Sequence, residues 1–493
     1  MSFEVRIKKY LFLGLIIVFG ASIAMFVGNR LASGKLGNLL YPRLDSDAPN
    51  IVLIVIDTLR ADHLSQYGYV EETSPGLDKL ASESVIFENA YSTSSWTIPA
   101  TASIHSGLHP VRHGAVQKGD KLSMKIQTIA EQLKWAGYET VGFSDNIHIS
   151  TKADFDQGFD TFFDYPSKDA LTYPDMSIMM DRARAWVRRH QDAEYPFFVY
   201  MQPMNCHGPY KVPESHRRNL LNRAPSRRFK YYKSPMNEIM WKGKLEKRKR
   251  VTGPYLKSLV EQYDTAVRYA TDQVGQFLSY LAEHDLYEDT MIIVTADHGE
   301  ELFDHGGFSH GYTLFNEVVR VPLIVKLPQQ TASTRVPAIV SLLDIYPTIV
   351  SILDVDVKTR LDGHSILPFF ATVNRSFGID TGGGKDSFLK RALLLSLNWK
   401  SRGVIRGWVN RKYKYLDIDH DYAGRRSEKL LFHLPNDPEE QHNIGKKKRD
   451  AMKRLREKLA ERWHAYARNQ RFSSENIIDH MNVEALKALG YVQ

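Results

Sequence analysis

Four short runs of nearly unbroken apolar residues punctuate the chain: NIVLIVID (50–57), YETVGFSD (138–145), PFFVYMQ (196–202) and TMIIVTAD (290–297). Apolar runs of this length, rich in β-branched and aromatic residues, are the pattern of strands covered on both faces, as in a parallel sheet. Between them, KIQTIAEQLKWAG (125–137) and SLVEQYDTAVRYATDQVGQFLSYLAEHD (258–285) place apolar residues at three- and four-residue steps, which predicts helices. Strands alternating with helices predict an α/β fold with a doubly wound, mostly parallel sheet flanked by helices. The pattern changes at about residue 375. LLLSLNWKSRGVIRGWVNRKYKYL reads as short antiparallel strands and KKRDAMKRLREKLAERWHAYARNQ as a charged amphipathic helix, so residues 375–493 are expected to form a smaller C-terminal α+β subdomain.

Residues 11–28, LFLGLIIVFGASIAMFVG, form a different kind of run, eighteen residues without a charge. That length just spans a bilayer as one N-terminal transmembrane helix, and no clear small-x-small cleavage site follows it. The expected organisation is a membrane anchor over 1–31, a polar tether over 32–48 and a catalytic domain over 49–374. A cleaved signal segment is the alternative. Arg6, Lys8 and Lys9 precede the run and Arg30, Lys35 and Arg43 follow it, so flanking charge gives little orientation.

Composition adds two constraints. With 493 residues, 43% of them hydrophobic, the chain can build a large core, and its single cysteine, Cys206, excludes an intrachain disulfide. The net charge of +8 is unevenly spread: an insertion over 211–252 carries thirteen Lys/Arg between Arg217 and Arg250 against two acids, with Phe229, Tyr231, Tyr232 and Trp241 interleaved. Such a stretch is either a solvated loop or a surface for anions. Beside an apolar anchor, the expected partner is a lipid headgroup or an anionic substrate, and no nucleic acid is expected.

Each core run leads into polar residues of catalytic type: Asp57 after the first, Asp145 and Asn146 after the second, Asn205 and His207 after the third, Asp297 and His298 after the fourth. Open α/β sheets bind ligands outside the carboxyl ends of their strands. One such Asp is ordinarily a turn or a cap; four runs delivering carboxylate, amide and imidazole to one crevice point to a site. Oxygen ligands beside an imidazole suit one divalent cation, Mn²⁺, Zn²⁺ or Mg²⁺, and suit all-oxygen Ca²⁺ less. Mn²⁺ or Zn²⁺ is favoured. In SSWTIPATASIHSG (94–107), Pro99 fits the first turn of a helix, which places Thr97 near that helix's N-terminus. The positive end of the dipole there stabilises an anionic ester, and a metal on the hydroxyl makes an alkoxide nucleophile accessible. From the local sequence alone the plainer reading, Thr97 or Ser95 as a cap of that helix, is the favoured one.

Together these segments resemble the sulfatase family of the alkaline phosphatase superfamily. NIVLIVIDTLRADHLSQYG is similar to the family's opening strand and metal-binding Asp, SWTIPATASIHSGLHPVRHG to its nucleophile motif, and NCHGPY to a leaving-group histidine. TADHGEELFDHGGFSHGYTLFNEVVRVPLIV is similar to the second metal motif; YDTAVRYATDQVG, LFHLPNDPEEQHN and LKALGY also look like family segments. The resemblance implies Asp57, Asp297 and His298 as metal ligands, with Thr97 as both ligand and nucleophile. It implies His207 and His310 as groups that bind substrate oxygens or protonate the leaving group, with Asn146 in the same pocket. His310 stands where many members have a lysine.

The departures bear on chemistry. Formylglycine sulfatases carry Cys or Ser two positions before the proline and Arg two positions after it; here these are Thr97 and Thr101. Oxidised threonine yields a ketone, so no formylglycine is expected. The position after the first Asp is Thr58 rather than a second Asp. A formylglycine hydrate expels sulfate by breaking its own C–O bond, an exit closed to sulfated threonine, whereas phosphothreonine is cleared by attack at phosphorus. The set resembles that of the phosphoethanolamine and phosphoglycerol transferases of the superfamily. The expectation is a membrane-anchored hydrolase or transferase of phosphodiesters or phosphoesters, possessing a Thr nucleophile, acting on a lipid- or glycan-linked anionic ester in an extracytoplasmic setting. Two alternatives stay open: a sulfuric ester hydrolase, and a non-catalytic binding protein of the same fold. Asp264, His305 and His364 could ligate a second metal, but their spacing defines no site.

Overall fold

The computed structural model describes residues 48–164, 175–191, 193, 195–217, 253–371, 388, 391–399, 403–419 and 427–468. The apolar run 11–28, most of the tether and the basic insertion beyond Arg217 lie outside the described residues, as do the 375 boundary and the LKALGY ending. Among the described residues no helix is long and apolar enough to cross a membrane.

The four predicted core strands form as β1 (Asn50–Val55), β3 (Glu139–Ser144), β5 (Phe197–Gln202) and β6 (Thr290–Thr295). All are parallel, in the spatial order β6-β1-β5-β3. Ile51 to Ile56 are all fully buried. Each such side chain contributes about 1.5–3 kcal/mol of burial, which explains why these runs occupy the centre. β4 (Thr161–Asp164) adds a parallel edge beside β3.

On the other side the sheet departs from a purely parallel plan. β2 (Val85–Tyr91), β10 (Leu323–Lys326) and β11 (Thr334–Ser341) extend it in the order β11-β2-β10-β6, with β10 antiparallel to both neighbours. A two-residue strand, β9 (Arg320–Val321), pairs with β2. Two further short strands, β7 (Glu301–Leu302) and β8 (Phe308–Ser309), form a separate hairpin after β6.

The helices follow the sequence pattern with sharper ends. Helix α1 (Thr97–Ser106) is buried at all ten positions and ends on Gly107, whose φ of 64° lies in the left-handed region that glycine adopts freely. Helix α2 (Ile129–Trp135) starts at a capping box: the Thr128 hydroxyl accepts from the Glu131 N–H while the Glu131 carboxylate accepts from the Thr128 N–H. That box moves the helix start four residues past the predicted Lys125. Helices α3 (Met176–His190) and α4 (Pro254–Glu283) pack against each other beside the sheet.

The C-terminal subdomain is a four-stranded antiparallel sheet, β12 (Ala392–Trp399), β13 (Gly403–Asn410), β14 (Tyr413–Ile418) and β15 (Glu428–His433). One face, with Leu395, Ile405, Leu416 and Phe432, joins a core shared with Trp96, Ile98 and Phe315 of the main body. The other face, with Leu394, Trp408, Tyr415 and Leu431, is covered by Leu455 and Leu459 of helix α5 (Arg449–Arg468). The subdomain is thus packed directly behind the segment that carries Thr97.

Candidate active site

The carboxyl ends of β1, β3, β5 and β6 meet the N-terminus of α1, and the side chains expected there converge. Asn146 Nδ2 donates to Asp57 Oδ2 at 2.6 Å and stands 3.5 Å from Thr97 Oγ1. Thr97 Oγ1 lies 3.3 Å from His298 Nε2. The same imidazole nitrogen is 3.8 Å from Asp57 Oδ1 and 3.5 Å from Asp297 Oδ2. All five side chains are fully buried.

Local backbone chemistry holds this cluster. His298 Nδ1 meets the Gly299 carbonyl at 2.9 Å, which directs Nε2 inward. Asp297 Oδ1 accepts the backbone N–H groups of His298 (2.8 Å) and Thr58 (3.3 Å), leaving Oδ2 toward the imidazole. Thr58 pays for its place with φ at 59°, a left-handed conformation costly for a β-branched residue. A side chain at Gly299 would put its Cβ 2.0 Å from the Glu317 carbonyl oxygen, so only glycine fits there.

The donor set fits a divalent cation. Asp57, Asp297 and His298 offer ligand atoms within 4.8 Å of one another. Asp57 Oδ1 is buried with no hydrogen-bond partner among the described residues, which is costly unless a cation faces it. Burial, then the neighbouring Asp297, pushes the Asp57 carboxyl well above its usual range. Burial pushes Asp297 up to about 7. Two adjacent buried carboxylates hold their charge poorly by themselves, and a divalent cation held by them would offset both effects.

A second layer is built from imidazoles. His310 and His298 rings lie 4.5 Å apart, and His310 and His207 rings 4.9 Å apart. Burial, then His310, pushes His207 down to about 3; burial, then His298, pushes His310 well down. His207 Nδ1 is 2.7 Å from the Gly208 carbonyl, and His310 Nδ1 is 3.0 Å from Glu300 Oε1. Thus Asp57, Thr97, Asn146, His207, Asp297, His298 and His310 lie in one crevice.

Three contributors went unnominated. Glu300, buried and pushed up to about 7 by burial, orients His310. Its position two residues after His298 was the available signal. His148, two residues after Asn146, is buried edge-on to Trp96 and close enough to His207 and His310 for their charge to bear on it. Gln202 donates to Asp297. Of the other candidates, Asp145 and Asn205 are buried, and Asn205 Nδ2 donates to the Lys211 carbonyl at 3.3 Å. Among the described residues Asp264, His305 and His364 do not assemble a second centre: Asp264 binds His63 and Tyr69, His305 binds Glu317, and His364 packs near Phe388.

The sulfatase family model matches residues 49–355. An arylsulfatase of Clostridium perfringens is 24% identical over 464 residues, covering 80% of this chain and 90% of that protein. Human iduronate 2-sulfatase is 25% identical over 356 residues, covering 60% and 63% respectively. Among solved structures, the phosphonate monoester hydrolase of Agrobacterium radiobacter superposes with a TM-score of 0.66 at 20% identity, over 85% of this chain and 96% of that one. A family match over the whole parallel sheet, on a fold that places the match's metal-type residues together, makes this chain a member of the sulfatase family with its alkaline-phosphatase-like α/β architecture.

Proposed function

We propose that this sulfatase-family enzyme cleaves monoanionic phosphodiesters through Thr97, as a metal-dependent hydrolase or transferase. The observation that carries the reading is the placement of Thr97 Oγ1, 3.3 Å from His298 Nε2 and at the first residue of a fully buried helix. Asp57, Thr97, Asp297 and His298 would hold a divalent cation, which would supply polarisation of the ester and a lowered hydroxyl pKa. Thr97 Oγ then bonds to phosphorus as the ester P–O bond breaks, its proton leaving to solvent. His207 and His310 are held neutral by burial in the free crevice; one of them takes up a proton as the anionic ester binds beside it and gives that proton to the departing alkoxide, with Glu300 supporting charge on the His310 ring. Asn146 holds Asp57 in place. Water or an acceptor alcohol attacks phosphorus in the second half and frees Thr97.

Charge favours a monoanion. Asp57, Asp297 and Glu300 surround the site, and the two positions where family members carry Arg or Lys hold Thr101 and His310. A phosphate monoester dianion meets three carboxylates with a single divalent cation for compensation. A sulfate ester is also monoanionic, and sulfate ester hydrolysis is the second reading, favoured by the names of the relatives. It leaves the Thr97 adduct without the C–O exit that a formylglycine hydrate possesses. The substrate is an anionic ester, lipid- or glycan-linked, and residues 11–28 anchor the enzyme in a membrane with the catalytic domain outside the cytoplasm.

The test uses the full chain in detergent, loaded separately with Mn²⁺, Zn²⁺, Mg²⁺ or Ca²⁺, on matched nitrophenyl phosphodiester, phosphomonoester and sulfate. Diester turnover that falls at least about 10³-fold in Thr97→Ala is expected. Sulfate turnover exceeding diester turnover would establish the second reading, and tight ester binding without turnover would mark a non-catalytic protein.

A further inference from the structure

The nucleophile segment lacks the arginine that formylglycine sulfatases carry two positions after the proline, and Thr101 stands there instead. A neutral group from another strand occupies the space between that helix and the metal-type carboxylate. Gln202, the last residue of β5, is fully buried, and its Nε2 lies 3.3 Å from Asp297 Oδ2 and 3.2 Å from Thr101 Oγ1. Its Oε1 accepts from the Tyr200 hydroxyl at 2.5 Å. The amide orientation follows from chemistry: a carboxylate oxygen only accepts, so the NH₂ end must face Asp297, and the Tyr200 hydroxyl donates to the end that remains.

We infer that Gln202 is a positioning residue that sets Asp297 Oδ2 relative to the nucleophile helix. The inference rests on the metal-dependent reading given above. Asp297 Oδ1 is tied by two backbone N–H groups, so Oδ2 is the oxygen left to face His298 and a cation. Gln202 fixes that second oxygen. Thr101 lies one helical turn after Thr97, so the same amide also ties the face of α1 that carries the nucleophile. A neutral donor orients the carboxylate without cancelling its charge, which leaves the full negative charge available to a divalent cation. Ligand-orienting groups of this kind typically set metal affinity by about 10–100-fold.

The test measures Zn²⁺ dissociation constants by chelator competition on the full chain in detergent, together with the visible spectrum of the Co²⁺ form. Gln202→Met keeps the volume and removes the amide; Thr101→Val removes only the arm to α1. Gln202→Met is expected to weaken Zn²⁺ binding about 10–100-fold and to change the Co²⁺ bands, while Thr101→Val stays within about twofold with the wild-type spectrum. Gln202→Glu, also isosteric, serves if the methionine variant does not fold; it places a second carboxylate against Asp297 and is expected to alter the same two readouts. Wild-type binding with unchanged affinity and spectrum in the Gln202 variants overturns the positioning role alone. Absence of stoichiometric Zn²⁺ binding by the wild type, unchanged in Asp297→Asn, overturns the metal-dependent reading and this role with it.

Discussion

His305 Nδ1 lies 2.7 Å from the Glu317 carboxylate, while its other ring nitrogen lies 3.1 Å from the backbone carbonyl of Glu440. Both partners are acceptors, so the ring satisfies both only as an imidazolium. Burial lowers the pKa of His305, but Glu317 by hydrogen bond and by charge outweighs it and the net direction is up. A folded-state pKa above the unfolded one gives stability that is complete below the unfolded value, about 6.5, and is lost as pH rises through the folded one. The melting temperature should therefore fall as pH rises above about 6.5, and His305→Gln should flatten that slope. An unchanged slope in the variant would remove His305 as its source.

Glu300 is bound to His310 at 3.0 Å, and in the proposed reaction it acts through that ring. Glu300→Gln keeps the shape but offers no charge to support a protonated ring. The expected effect is a fall in kcat of about 10²-fold with KM changed far less, because the lost interaction grows as the leaving group takes its proton. Equal changes in kcat and KM with a lowered melting temperature would assign Glu300 a structural role instead.

Lys414 and Glu440 form an ion pair at 2.9 Å with neither side chain exposed. Asn316, just after Phe315 in the segment behind the site, donates its N–H to Glu440 and accepts from the Lys414 ammonium through its side-chain oxygen. Lys414→Met leaves a buried carboxylate without its cation, a loss of about 3–5 kcal/mol. The double variant with Glu440→Gln should recover part of it. Denaturant unfolding of the four proteins of this cycle gives the coupling energy of the pair, and a value near zero would show that the pair is not the source of the loss.

How much of this could be read from the sequence depends on what each residue's role requires. Asp57, Asn146, His207 and Asp297 follow strands whose apolar runs are unmistakable, so the strand-end rule alone brought them together. Thr97 needed Pro99 and the family resemblance as well. Gln202 ends such a run too, but its partner Asp297 is 95 residues away and no local pattern pairs them. His148 and Glu300 matter through ring-to-ring and ring-to-carboxylate contacts that only the folded crevice creates. Among the strands, β2 was missed because Glu88 and Asn89 interrupt its apolar pattern, and β10 because four residues give no period to read. Both belong to the antiparallel turn in the sheet, which alternation of strands and helices does not announce.

Removing the divalent cation should expose the cost of the buried carboxylates. In the metal-free protein Asp297 is pushed from its ordinary 3.8 up to about 7 by burial, and Asp57 well up in the same direction. For an acid raised in the folded state, stability is complete below the unfolded value and is lost as pH rises through the folded one. The Asp297 contribution to metal-free stability should therefore decline between about pH 4 and pH 7. A cation competes with protons for the same oxygens, so it binds weakly at the acid end and strongly at the neutral end. At a free concentration 100 times its dissociation constant it stabilises by about 2.7 kcal/mol. Scanning calorimetry with and without Zn²⁺ should accordingly show a rise in melting temperature that is larger at pH 7.5 than at pH 5, and that is absent in Asp57→Asn/Asp297→Asn. An equal rise at both pH values would place the stabilising cation somewhere other than this carboxylate pair.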